Sequence, residues 1–87
     1  MPSNVKFLGV GFSNLVNACR VTVILAANSA AAKRLITVSK DSGNLIDVTS
    51  GRKARSIIML DDKTVVLSAL NAQTLQARVA DEDGEEE

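Results

Sequence analysis

Three cations within four positions, Arg52, Lys53 and Arg55, follow Gly51 and are the residues of this 87-residue chain best suited to act on a partner. Guanidinium and ammonium groups presented together from a loop can meet phosphate oxygens, and a neighbouring glycine lets the backbone come close to the ligand. The same run also fits a solvated surface, the ordinary fate of clustered charge. Arg20 is a second candidate. It introduces a dense apolar stretch at 20–26 and must hold its head at the rim of a sheet, whether as a contact or as a snorkelling edge residue. Lys33, Arg34 and Lys40 stand beside apolar positions at helical spacing, where solvated charge adds to the field without defining a site.

Catalytic chemistry is poorly supplied. The chain has no histidine, the commonest acid-base group near neutral pH. Its one cysteine, Cys19, has a cation beside it that favours thiolate, but a lone cysteine is more often a small buried hydrophobe, and a place at the start of a strand fits that reading. The stretch from Gly9 to Asn14 opens like a dinucleotide-binding loop. Asn14 stands where the third glycine belongs, however, and no acidic residue follows at the ribose-binding distance, so the stretch reads as a structural turn. Ser50 and Lys53 match the bare Ser-x-x-Lys spacing of penicillin-recognising enzymes without either companion motif. The chain is expected not to be an enzyme, to use no cofactor or metal, and to have no small-molecule substrate.

Hydrophobic residues make up 46% of the sequence, with Phe7 and Phe12 its only aromatics. A domain of this size buries about 60 to 65 percent of the surface its unfolded chain exposes, so this apolar content exceeds what one small core uses. Burial between copies is the usual remedy where disulfides and structural metals lack their side chains, and a homo-oligomer is expected. The single cysteine points to a reduced, cytoplasmic setting, and no window approaches the roughly 18 apolar residues of a membrane span. Net charge is zero, yet six of the ten acidic residues lie within 81–87, which leaves residues 1–80 with ten basic against four acidic side chains, a net of +6. A basic body at 1–80 and an acidic, disordered tail at 81–87 is the expected division. The tail is either a solubilising end or a segment that folds back on the basic face and competes with an anionic ligand.

Periodicity and punctuation define the elements that must position these cations. Residues 5–9 read as a first strand ended by Gly9 and Gly11, and residues 20–26 as a buried, β-branched strand sharing its sheet. Asn28 or Ser29 can cap a helix over about 29–42, in which Ala31, Ala32, Leu35 and Ile36 recur at helical spacing and Gly43 supplies a left-handed stop. A strand at 45–49 follows, and the strand-helix-strand order implies a right-handed crossover whose pairing direction stays open. Ser50 and Gly51 mark a break. Apolar runs at 55–60 and 64–70, joined by Asp61, Asp62 and Lys63, have the pattern of a hairpin. Asn71 can cap a last helix running to about Val79. The fold class is thus α+β, a small single domain of about five strands and two helices.

In order and spacing these segments resemble the RemA family, small bacterial regulators of extracellular matrix production. The resemblance rests on Lys6-Phe7, on the run from Gly9 to Asn14 and on the Arg20-led strand. It continues through Ala32-Lys33-Arg34-Leu35-Ile36, residues 43–49 and Val66-Leu67-Ser68-Ala69, and Ser50-Gly51-Arg52-Lys53-Ala54-Arg55 is similar to the family's Gly-Arg-Arg-x-Arg signature. What it implies is a transcriptional activator of biofilm genes that engages duplex DNA through arginines as a ring-like homo-oligomer. Carried over by position, Arg20, Arg52 and Lys53 are the implied DNA contacts, with Arg55 in support. Lys53 stands where the signature has its second arginine, which keeps the charge and loses the planar fork. Ser50 replaces an aromatic residue and Ala31 a proline. The rival from another class is a protein-interaction scaffold without DNA binding. RNA fits less well than duplex DNA, because single-strand recognition leans on stacking aromatics.

Overall fold

The computed structural model describes residues 6–84, with side chains as far as residue 79. Among the described residues the order is β1 (Phe7–Gly11), β2 (Asn14–Asn17), a 3-10 turn (Ala18–Arg20), β3 (Val21–Ala26), α1 (Ala30–Ser42), β4 (Leu45–Asp47), β5 (Ser56–Leu60), β6 (Val65–Ser68) and α2 (Ala72–Gly84). The class is α+β, as expected, with six strands rather than about five. One sheet has the order β3-β5-β6-β4, and β1 with β2 forms a hairpin of its own. β5 pairs antiparallel with both β3 and β6, whereas β4 pairs parallel with β6. The β3-α1-β4 unit is therefore a parallel crossover whose strands lie on opposite edges, with the expected β5-β6 hairpin between them.

The N-terminal part corrects two expectations. β1 does not share a sheet with β3 but pairs with β2, in the register Phe7↔Asn17, Leu8↔Val16, Gly9↔Leu15 and Gly11↔Asn14. Nor does it end at Gly9, since a register shift between Gly9 and Gly11 carries it on to Gly11, whose φ of 107° suits glycine. Phe12 and Ser13 then turn the chain with φ of 54° and 65°, the signature of a type I′ hairpin turn. The Asn14 side-chain amide holds that turn by donating to the carbonyls of Gly11 at 3.0 Å and Phe12 at 3.1 Å. Phe-Ser is not a dipeptide that announces such a turn, so β2 left no sequence signal. Val5, expected in the first strand, lies outside the described residues, whereas helix α2, expected to end at about Val79, runs on to Gly84 and takes in residues 81–84 of the stretch expected as a disordered tail.

Helix α1 is bounded as its sequence predicts. Ser29 Oγ accepts from the Ala32 amide at 3.1 Å. At the far end Gly43 is left-handed, its amide donates to the Lys40 carbonyl at 3.3 Å, and the Asn44 amide donates to the Ser39 carbonyl at 2.9 Å. These are the two bonds of a Schellman stop.

Pairing puts Ile24, Ile58 and Val66 in one row across the sheet and Leu25, Ile57 and Leu67 in the next, and the pleat sends the rows to opposite faces. The first row meets Leu8 and Val10 of the hairpin and Leu75 of α2; the second meets Ala32, Leu35 and Ile36 of α1. Covered on both faces, β5 and β6 read as continuous apolar runs rather than alternating ones. Two buried hydroxyls tie the layers together. Ser68 Oγ donates to the Val10 carbonyl at 2.7 Å and accepts from the Leu70 amide at 3.0 Å, and Ser56 Oγ donates to the Leu70 carbonyl at 2.7 Å. Among the described residues no helix is long and apolar enough to cross a membrane.

Ser68→Ala should cost roughly 1–3 kcal/mol, because it leaves the Val10 carbonyl unpaired in the core. Ile58→Ala should cost about 2–5 kcal/mol. Ile46→Ala, at a half-exposed position on an edge strand, should cost less than about 1 kcal/mol. Urea unfolding of the three variants checks the order.

Candidate nucleic-acid interface

The β3-β5 ladder fixes where the candidate cations stand. At one end the Ala27 amide donates to the Arg55 carbonyl at 3.0 Å, and at the other the Asp61 amide donates to the Arg20 carbonyl at 2.8 Å. All of β5 lies between them, about 20 Å of extended chain. Arg52, Lys53 and Arg55 therefore share one end of the molecule and Arg20 occupies the opposite end. Within a single subunit the structure does not bring the four together.

Residues 49–52 form a tight turn that begins from a buried side chain. Asp47 Oδ1 accepts from the Thr49 hydroxyl at 2.6 Å and from the Thr49 amide at 2.9 Å, and Thr49 is buried. Ser50 and Gly51 follow with φ of 55° and 83°, and the Arg52 amide closes on the Thr49 carbonyl at 3.1 Å. Both central residues are left-handed, as a type I′ turn requires. The Thr49 hydroxyl, and then its amide, hold the Asp47 carboxyl below the usual carboxylate range.

This turn carries Arg52 to the tip of the β1-β2 hairpin, where its guanidinium carbon lies 5.5 Å from the centre of the Phe12 ring. That is within cation-π distance. The two glycine-containing runs singled out from the sequence, at 9–14 and at 50–55, thus meet in space. Lys53 and Arg55 continue the same surface with exposed side chains, and among the described residues no ion pair engages either. Phe12 itself was not legible as part of a site. The one signal for it was that one of only two aromatics sits among Gly11, Ser13 and Asn14, turn residues that do not bury it.

At the far end Arg20 Nε is 2.9 Å from Asp61 Oδ1 and its Nη2 is 3.4 Å from Asp62 Oδ2. The hydrogen bond from Arg20 to Asp61, then the charges of Asp61 and Asp62, raise the Arg20 pKa further. The Thr64 amide, 3.0 Å from Asp62 Oδ1, is the leading cause that holds Asp62 below the usual carboxylate range, with Arg20 contributing less. A phosphate contact by Arg20 has to compete with these carboxylates. Cys19, expected to be buried at the start of a strand, is exposed in the 3-10 turn that precedes β3. Among the described residues no group of three His, Cys, Asp or Glu side chains is placed to hold a metal ion.

Comparison with known proteins covers both the hairpin tip and the cationic turn. The family described as RemA-like, extracellular matrix regulatory protein A-like, matches residues 7–79, which span the hairpin tip and the Arg52 turn alike. A relative from Finegoldia magna is 46% identical over 80 residues, covering 92% of this chain and 96% of its own. One from Carboxydothermus hydrogenoformans is 40% identical over 83 residues, covering 95% of each. A third, from Dictyoglomus turgidum, is 42% identical over 82 residues, covering 94% of this chain and 96% of its own. Each is named "Putative regulatory protein".

The Asp47 contacts give the turn a pH dependence of definite sign. A carboxyl with a depressed folded-state pKa contributes stability that is present above its ordinary pKa and lost as pH falls through the folded value. Lowering the pH through that range should therefore loosen the turn, and Asp47→Ala should do so at neutral pH. Hydrogen exchange checks this: the Arg52 amide should exchange faster in the variant while the amides of β5 and β6 stay protected.

Proposed function

The chain belongs to the RemA-like family, and we propose that it is a transcriptional regulator that binds duplex DNA through Arg52, Lys53 and Arg55, acting as an activator of extracellular matrix genes. The observation that carries this reading is the end of the molecule where Arg52 lies against Phe12 and two further exposed cations have no carboxylate partner among the described residues. Family and relatives' names alike point to a regulatory protein rather than an enzyme.

Contacts of this kind go to phosphates and to the shape of the duplex more than to base edges, since Lys53 is a point charge without arginine's fork. Repetition strengthens them. In a ring-like homo-oligomer, three cations per copy add up to many phosphate contacts on one duplex. Phe7 and Leu15, 55% and 63% exposed on the outer face of the β1-β2 hairpin, support such assembly, because they are apolar surface that the subunit's own core does not use. Arg20 joins the DNA surface where its aspartate partners yield or where a neighbouring copy brings it alongside the Arg52 turn. Within this proposal residues 1–80 are the DNA-binding body, residues 81–87 its acidic tail, and the cytoplasm its place of work.

DNA binding by the native protein and by Arg52→Ala/Lys53→Ala should be measured across a salt series, with assembly mass followed by light scattering. The variant should stay assembled, bind more weakly and show a log-log salt slope shallower by about 0.9 for each phosphate that it no longer neutralises. Equal behaviour of the two proteins would overturn the DNA reading in favour of a protein-interaction scaffold. If the tail competes for the basic face, removing residues 81–87 should tighten DNA binding at low salt; unchanged affinity excludes masking.

A further inference from the structure

Beside the Arg52 turn lies a cavity of about 460 Å³, inside the range of roughly 300–1,000 Å³ typical of small-molecule sites. It opens between the end of β3, the segment that leads into β5 and the start of α2. Lys53, Arg55, Asn28, Asn71 and Gln73 supply its polar groups, and small alanines form the rest of its wall. The charge is one-sided. Two cations line the cavity, no carboxylate does, and among the described residues neither cation is in an ion pair.

The first turn of α2 lines the same space. Asn71 Oδ1 accepts from the Thr74 amide at 2.7 Å, and the Asn71 carbonyl accepts from the Leu75 amide at 3.3 Å. Ala72 and Gln73 of the same first turn line the cavity, and their amides have no acceptor within the helix. The Asn28 and Gln73 side chains can donate to an anion or accept from a hydroxyl beside it. A compact anion with several acceptor oxygens answers two cations and these donors together, and a phosphate group has that form.

We propose that this cavity binds a phosphate group, clamped between Lys53 and Arg55 with the first turn of α2 at its base. Its ligand is a phosphorylated small molecule. Occupancy withdraws Lys53 and Arg55 from the DNA surface, so the ligand regulates binding there, a role that rests on the DNA reading. The site stands on its own lining and does not require the DNA reading.

The test is a set of NMR titrations of the full chain at constant ionic strength, with inorganic phosphate, with adenosine monophosphate and with a short DNA duplex. Adenosine monophosphate should produce saturating shifts concentrated at the amides of 27–28, 53–55 and 72–74. Lys53→Ala/Arg55→Ala and, separately, Gln73→Glu should each weaken that binding by about tenfold or more. Gln73 is outside the buried core, so its replacement adds a repelling carboxylate without touching that core, and full spectral dispersion will show an intact fold. If the duplex alone moves these amides, the two cations serve DNA and not a small molecule, and the proposal falls. A response to none of the three, or an adenosine monophosphate response indifferent to Gln73→Glu, overturns the proposal. Failure of all duplex binding while adenosine monophosphate still occupies the cavity would overturn the DNA reading and leave this one in place.

Discussion

Ile57 and Ile58 are neighbours in sequence, point to opposite faces of the same sheet and are both fully buried, so each face needs its own cover. A chain of 87 residues has few elements with which to supply two covers. Helix α1 takes one face. The other is shared between α2 and the β1-β2 hairpin, which brings Leu8 and Val10 onto Ile58 and Val66. The hairpin is therefore a lid on the central sheet rather than an extension of it, and its separation from β3 follows from that duty. Ser56 and Ser68, both buried, complete the junction by meeting carbonyls that would otherwise be left without partners in the core.

The same arrangement determines how the cationic turn is presented. β4 and β5 are consecutive in the chain, but β6 lies between them in the sheet, so residues 48–55 must arch over the end of β6. The arch is fastened on both sides. The Val48 amide donates to the Leu67 carbonyl at 3.1 Å, and the Arg55 amide donates to the Ser68 carbonyl at 2.8 Å. Between those anchors, the Asp47-Thr49 contact and the left-handed pair Ser50-Gly51 leave the backbone little freedom. Pinning of this kind lowers the entropy lost when the cations meet a ligand, which is the advantage of a short bridged turn over a long loop.

What was legible in the sequence is what is written locally. Ser29, the alanines after it and Gly43 encode α1 almost to the residue, because a cap, a helical run and a left-handed stop all act within one or two turns. The β5-β6 hairpin was equally plain, since its polar turn separates two β-branched runs. The pairing of Arg20 with Asp61 spans 41 positions and the meeting of Phe12 with Arg52 joins two separate turns far apart in sequence, and no local pattern reports contacts that only tertiary packing creates. The 3-10 turn at Ala18–Arg20 was hidden for a related reason: an arginine before a β-branched run looks like the first residue of a strand, and only the Asn17 side chain, accepting from the Cys19 amide at 2.9 Å, holds the chain off that path. Of the candidate site, the cation cluster was visible, while the aromatic partner and the cavity beside the turn were not.

The separation of Arg20 from the Arg52 turn bears directly on how DNA could be held. With the duplex axis laid along the ladder, about 20 Å is more than half the roughly 34 Å pitch, so a strand would have turned to the far side of the axis before reaching the second contact. One subunit cannot easily hold the same strand of a straight duplex with both groups, and Arg20 also has two carboxylates to leave. Both difficulties ease if Arg20 of one copy lies beside the turn of the next, where its neighbours differ and the strand need not wind around a single subunit. On the DNA reading, then, Arg20 is the contact whose part depends on assembly, whereas Arg52, set against Phe12 within its own subunit, is in position before any partner arrives.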